Sequence, residues 1–542
     1  MKMSSLRCSG FLLILLALLL SCRPVASGQS ISFWNKNDDG NWSKSSNWSP
    51  KGVPNAIGAN VTLGDVIRSA TTVTVDRDAI IGTLNLEGNY DYTLSGTKSL
   101  TFDVEAGDAA INISGTNSSQ IGTAPTNLLT VKTVLNDNLV INHSGSGEFT
   151  FGGVISGTGG IVKNGSGTVN FFGYHENTYT GATFVNEGTL VLDTLTERNG
   201  SIKGTSVTVG DGIGSAGSAV LRNGPLVNPY ADEMINDAAT VSLRNDGLWS
   251  LNNESETVAA LQFSGGRVST GTGLLTLSSS TAVSTVSSTD TALIDGNLRV
   301  TGGGPGEARF EIADGAASVD ADISGSISGN AEFVKQGDGT LRMSGAAANA
   351  LTGGTTVATG TLELAKSAGV ESIAGTAITI NSGGTLLLGS SEQISDATGL
   401  ILSGGQFNTG TGFDETLGTL TLTADSAITL GSAIHNLRFG ASNLAGWDIA
   451  AILTINGWMA DASGTGFSKI FFGTNATSLT SQQLSQIRFA GYGSGMLLSN
   501  GELVPTAVPE AEEYLAVLLI TGIVLWRERT RIVPRLQRLC VR

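Results

Sequence analysis

One stretch of this chain is written twice. Residues 155–192 read ISGTGGIVKNGSGTVNFFGYHENTYTGATFVNEGTLVL, and residues 327–364 read ISGNAEFVKQGDGTLRMSGAAANALTGGTTVATGTLEL, at a constant offset with no gap. Coincident pairs include Lys163/Lys335, Gly165/Gly337, Gly167/Gly339, Gly173/Gly345, Thr180/Thr352, Gly181/Gly353, Gly188/Gly360 and Leu190/Leu362. Glycines stand at the joints, and short alternations such as Thr-Val-Asn-Phe and Thr-Leu-Glu-Leu lie between them. Glycine enters positive φ without steric cost, so this is the pattern of brief strands joined by sharp turns. Units this small cannot bury their own apolar faces, and recurrence at a fixed length lets successive units bury one another's. The expectation is a stacked β-solenoid with Lys163 and Lys335 at equivalent points of their coils. Gly165, Gly181 and their partners are expected where φ is positive or another chain passes close.

The string K-x-G-x-G-T, then a glycine, T-G-x-T-x-V and G-T-L-x-L resembles the autotransporter-associated β-strand repeat, also called the passenger-associated transport repeat. The close match covers 155–192 and 327–364. A looser cassette also occurs twice, as SGGRVSTGTG at 264–273 and SGGQFNTGTG at 403–412. The resemblance implies an all-β fold, a single-stranded right-handed parallel β-helix similar in backbone to pectin lyases, with a cap at each end.

Composition agrees with a packed solenoid. The 542 residues include 73 glycines and 10 prolines, with 14% charged residues. Ordinary disorder needs high charge and few β-branched residues, and this chain has the reverse. At roughly 20–25 residues per coil, the repetitive body makes on the order of 18–20 coils.

Both ends read as addresses. Residues 1–28 carry Lys2 and Arg7, an apolar run over 11–20 and small residues near a cleavage region at Ser27, Gly28 and Gln29, which is a secretory signal. A competing reading takes Leu19-Leu20-Ser21-Cys22 as a lipoprotein box with Cys22 acylated. At the far end, within 506–542, Val508, Pro509 and Glu510 precede an apolar run at 515–526 and six arginines. This resembles the PEP-CTERM sorting signal of Gram-negative envelope proteins, which implies transient membrane association through 515–526 and removal by a membrane sorting enzyme. Ala511 stands where that motif has its second proline, and a permanent anchor is the alternative.

Removing 1–28 and 527–542, with net charges of +3 and +5, leaves a body near −24. Such a body does not track a phosphate backbone, which argues against nucleic acid as a partner. The three cysteines, Cys8, Cys22 and Cys540, all lie in the terminal segments, so stacking and not disulfides must hold the body together.

Residues 29–64 are rich in tryptophan. Trp34, Trp42 and Trp48 read as an N-terminal cap over the first coil, or as platforms that stack on carbohydrate. Residues 65–446 form the repetitive body, and 447–505 change character and read as a C-terminal cap. Within that cap LTSQQLSQIRF (479–489) is expected to be a short amphipathic helix with Thr480 or Ser481 as N-cap.

Candidate chemistry is sparse. His143, His175 and His435 are far apart and read as structural, and no metal site or cofactor is expected. The run 35–46 has the look of a calcium loop, but its twelfth position is Ser46, so an Asn/Asp-rich turn is the better reading. Asp76-Arg77-Asp78, expected on a strand, is the nearest approach to the acid-plus-arginine set of a β-helix lyase. Two functions from different classes stand. One is a non-catalytic structural or adhesive protein of the envelope or extracellular matrix, handled by export machinery and a sorting enzyme, with extracellular polysaccharide as a partner. The other is a carbohydrate-active lyase or glycosidase, which needs several charged groups converging on neighbouring coils. A third, an autotransporter adhesin, needs a translocator barrel for which no room is expected after Trp447.

Overall fold

The computed structural model describes residues 31–122, 130–195, 200–224, 233–303, 306–460 and 467–506. The signal segment with Cys22 and 27–29, the sorting motif at 508–510 and the apolar run at 515–526 lie outside the described residues. What is described is a parallel β-solenoid of about 16 coils. Each coil lays down short strands on up to three faces. The first face is an 18-stranded sheet whose pairings are parallel except between Ser32–Trp34 and Trp48–Ser49. A second parallel stack runs beside it, and the third face includes Ala79–Ile81, Ser99–Phe102, Lys132–Leu135 and Ile155–Gly157. Coil length keeps on average to the expected range of roughly 20–25 residues, towards its upper end, so the coils number about 16 and not 18–20. Their length also varies: the coil from Thr240 to its partner Ala260 is much shorter than the one from Ser206 to its partner Thr240.

The sequence repeat is a structural repeat. Thr168–Gly173 recurs as Thr340–Gly345, Thr183–Val185 as Thr355–Val357, and Gly188–Thr194 as Gly360–Lys366, all at the offset that relates Lys163 to Lys335. Alternation decides which side chains enter the core, because successive Cβ atoms point to opposite faces of a strand. In Thr168–Gly173 the residues Val169 and Phe171 are buried while Asn170 and Phe172 are not. In-register stacking then aligns like with like: Ile111, Ile141, Lys163 and Val185 form one interior column. Full burial of each aliphatic side chain contributes about 1.5–3 kcal/mol.

Outside, on the first face, Asn85, Asn112, Asn142, Asn164 and Asn186 form an amide ladder. Each Nδ2 donates to the Oδ1 one coil earlier, at 2.8 to 3.1 Å. At the corners, Gly165 and Gly337 have φ of +75° and +80°, as their joint positions require. Gly181 differs in kind. Its φ is not positive, but a Cβ there would lie 2.3 Å from Gly160 N and 2.4 Å from Gly159 C. Close chain approach, not left-handed backbone, excludes a side chain.

The ends close differently. Trp34, Trp42 and Trp48 pack edge-to-face, Trp42 donates to Pro54 O and Trp48 to Trp42 O. At the other end the stack continues past residue 446, since Leu453–Asn456 and Ile487–Phe489 still pair in parallel. It stops where Glu502–Pro505 pairs antiparallel with Lys469–Phe472, and Gly495–Leu497 pairs antiparallel with Glu502–Pro505 in turn. The expected helix is shorter than its pattern. It spans Ser481–Gln486, with Thr480 and Gln483 forming a capping box, and Ile487–Phe489 leave it as a strand. Tertiary pairing with Leu453–Ile455 overrides the helical spacing there.

Candidate functional site

The two lysines of the repeat point inward. Lys163 and Lys335 share the parity of Ile161 and Phe333, and both are fully buried. Lys335 Nζ donates to the carbonyls of Gln336, Gly337 and Thr359 at 3.2, 2.7 and 3.1 Å. Lys163 makes the same three contacts, to Asn164, Gly165 and Glu187. Each ammonium therefore gathers carbonyls from its own corner and from the next coil. Burial pulls both lysines down to about 8, opposed by Glu187 in one case and by Asp320 and Asp338 in the other.

The corner leading to the third face holds a second fastening. Asn177 Oδ1 accepts from Ile155 N at 2.9 Å and its Nδ2 donates to Ser201 O, so one side chain ties three coils. Asn349 repeats this with Ile327 N and Ser372 O. The two asparagines are themselves related by the offset of the repeat, a signal it contained and the sequence reading passed over.

Charge converges on the second face at one set of described residues. Register stacks Asp322, Arg342 and Glu363 on three consecutive coils. Arg342 donates to Asp322 at 2.7 Å, and Ser344 Oγ donates to the other Asp322 oxygen at 2.7 Å. Asp295, ion-paired with Arg267, sits diagonally beside them through Ser324. Burial raises the Glu363 carboxyl, with Arg342 opposing and Asp322 adding. The Asp322 pair raises the Arg342 guanidinium in turn. This set was not picked out from sequence, because its members come from separate coils and only the register brings them together.

Three open grooves lie along the stack, and one of them shares Arg267 with the border of this set. One of about 570 Å³ runs over stacked turns at Gly384, Gly405 and Ser426, and Asp425 is its one ionisable side chain. Two others, of about 390 and 520 Å³, hold Arg267 with Asp290, and Arg244 with Asp211. None of the three brings two carboxylates together.

The residues singled out in the sequence have other occupations. Trp34, Trp42 and Trp48 are at most 2% exposed, so their faces meet one another and the core and offer no platform to a sugar. Asp76-Arg77-Asp78 is a corner, not a strand. Asp76 accepts from Ser43 N and Oγ and from Asn41, and Asp78 from Ser99 N and Oγ, which stitches neighbouring coils and holds both acids below their usual range. In the Asn/Asp-rich turn, Asp39 accepts from Thr72 N, and Lys36 pairs with Asp38 at 3.7 Å. His143 is enclosed in the stack and held low by burial and by Lys163. His175 is exposed, and His435 bridges Thr409 Oγ1 and Ala433 O. Among the described residues no group of three His, Cys, Asp or Glu is placed to hold a metal ion, and no helix is long and apolar enough to cross a membrane.

The model of the passenger-associated transport repeat matches residues 161–192 and 333–364. No curated protein and no solved structure matches the chain. The matched repeat is not a known enzyme family. Two segments similar to this repeat, set in a parallel β-solenoid, fit the passenger domain of an exported, surface-exposed protein.

Proposed function

We propose that this chain is a non-catalytic scaffold, delivered to the cell surface or extracellular matrix of a Gram-negative-type bacterium and serving there in structure or adhesion. The observation that supports this reading is where the polar side chains go. Lys163, Lys335, Asn177, Asn349, Asp76, Asp78 and the asparagine ladder all fasten coil to coil, and each of the three grooves described above holds one acid. A long rigid stack whose polar groups bind its own coils suits a spacer or adhesive surface. Its partners in this reading are the export machinery, a sorting enzyme acting at 508–510, and extracellular polysaccharide. The test has two arms. Mass spectrometry of the surface fraction should recover a protein that begins near 27–29 and ends near 508–510. Cells lacking the protein should lose surface attachment or matrix cohesion, and an unchanged phenotype together with a cytoplasmic protein would refute the proposal.

One observation favours a second reading, a carbohydrate-active enzyme. Asp322, Arg342 and Glu363 are charged groups on neighbouring coils, with the acid and arginine already paired. Release of new reducing ends or unsaturated ends from a polysaccharide by the purified protein, abolished in Arg342→Ala, would replace the scaffold reading with this one.

A further inference from the structure

A second duplication runs through the chain at a different offset, the one that carries Glu233 to Glu392. Glu233-Met-Ile-Asn-Asp-Ala238 returns as Glu392-Gln-Ile-Ser-Asp-Ala397, and Glu256-Thr-Val258 as Glu415-Thr-Leu417. Glu233 and Glu392 both take left-handed backbone, with φ of +65° and +53°, which non-glycine residues rarely adopt. The two N–H groups that follow each of them meet a glutamate from the next coil. Met234 N and Ile235 N donate to Glu256 at 2.9 and 3.1 Å, and Gln393 N and Ile394 N donate to Glu415 at 2.8 and 3.2 Å. These inner glutamates are 0% and 1% exposed. The outer glutamate returns the contact, since Glu233 accepts from Thr257 N and Oγ1 at 3.2 and 2.9 Å.

Charge around the inner carboxyls is of the wrong sign for an ion pair. Glu256 faces Glu233, and Glu415 faces Glu392, beside which lie Asp396, Asp414 and Arg438. The Arg438 guanidinium is seated over the Phe471 ring at 4.2 Å. Neither inner glutamate forms an ion pair among the described residues. A buried carboxylate without a counter-ion is unfavourable, and protonation is the usual relief. Asn223 supplies a place for the proton. Its Nδ2 lies 3.2 Å from Glu256 Oε2, while its own buried Oδ1 has no partner among the described residues. Turning that amide over sets the orphan oxygen against Oε2, ready to accept from a carboxyl O–H.

We propose that Glu256 and Glu415 are buried proton-binding sites, neutral at physiological pH, whose deprotonation loosens the coil joints at 233–235 and 392–394. Burial pushes both carboxyls up to about 8, with the backbone N–H groups opposing and the outer glutamates adding. The folded value lies above the unfolded one. The stabilisation is therefore full below the ordinary glutamate value of 4.5 and is lost as pH rises towards about 8.

Hydrogen exchange on the full chain between pH 5 and 9, corrected for intrinsic rates, reads the joints directly. Infrared spectroscopy reads the protonated carboxyls. Protection at 233–236 and 392–395 should fall about tenfold or more across this range, while Thr71–Thr74 hold theirs. Glu256→Gln and Glu415→Gln should each remove part of the protonated-carboxyl band and flatten the pH profile of its own joint. Absence of that band in the native protein at pH 6, or the same pH-dependent loss in the glutamine variants, would overturn the proposal. Should Glu256→Gln fail to fold, the native infrared titration and the Glu415→Gln joint still decide.

Discussion

Replacing Lys335 by methionine removes an ammonium and leaves its carbonyl partners in place, so the sign of the effect is not obvious. Two terms compete. Keeping the lysine charged in the folded state costs about 3 kcal/mol, from a value pulled from 10.5 to about 8 at 1.36 kcal/mol per pKa unit. Against this stand three hydrogen bonds from a charged donor, each worth about 1.5–3 kcal/mol. The bonds win by about 1.5–6 kcal/mol, and methionine, similar in length, fills the space without serving the carbonyls of Gln336, Gly337 and Thr359. Lys335→Met should therefore destabilise its coil by about 2–4 kcal/mol. A solenoid need not unfold in one step, so a single melting temperature is the wrong readout. Hydrogen exchange of Glu332–Gln336, Thr340–Gly345 and Thr355–Val357 reads the affected coils separately. The folded value lies below the unfolded one, so the charge penalty is relieved as pH rises from about 8 to 10.5. Native coils should gain protection over that interval, and the variant should not. Unchanged or greater protection in Lys335→Met at pH 7 would mean that the buried ammonium is a net cost and the reasoning is wrong.

Asn177→Ala should cost about 1–3 kcal/mol at its joint by stranding Ile155 N and Ser201 O, and Asn349→Ala should do the same at Ile327 and Ser372, both visible as faster exchange of those amides. Gly181→Ala should destabilise by about 1–3 kcal/mol through overpacking against Gly159 and Gly160, whereas Gly107→Ala, with nothing near its Cβ but φ of +85°, tests backbone strain alone. If Gly181→Ala melts like the native protein, the close approach imposes no constraint. Replacing the six arginines of 527–542 by glutamine should impair removal of the tail without altering exchange in the solenoid, and recovery of intact 512–542 peptides from the surface form would mean a retained anchor.

The stack was legible because it rests on local rules: glycine at corners, alternation between them, and repetition at fixed length. Gly165 and Gly337 fell on left-handed backbone as the pattern required. What stayed hidden depends on register between coils. Lys163 has the same parity as Ile161, which places it inside, yet a lysine in an alternating strand is ordinarily read as surface because burying its charge is costly. Asp322, Arg342 and Glu363 come from successive coils, and unequal coil lengths along the chain conceal their alignment. The Asp76–Asp78 acids were visible but misassigned, because two-residue alternation looks the same on a strand and across a corner. The Trp34–Trp42–Trp48 cluster could be read as cap or platform until burial settled which faces were covered.

The two duplications answer one physical need. At the corner before the third face, the backbone turns inward and leaves N–H groups without a ladder partner, and buried donors of this kind must be met. Four side chains meet them, each reaching back to the coil before: Asn177 to Ile155, Glu256 to Met234, Asn349 to Ile327, and Glu415 to Gln393. The asparagine joints fall in or beside the segments that match the passenger-associated repeat, and the glutamate joints lie outside them. A carboxamide accepts with one oxygen, donates with its nitrogen to a third coil, and carries no charge at any pH. A glutamate offers two acceptor oxygens and takes both N–H groups at once, but it must bury a proton or a charge to do so. Alternating the two along one corner gives a stack with fixed joints at Asn177 and Asn349 and titratable joints at Glu256 and Glu415. Alkaline loosening should thus begin at the two glutamate joints and leave the matched repeats standing, an order of opening that neither duplication would impose alone.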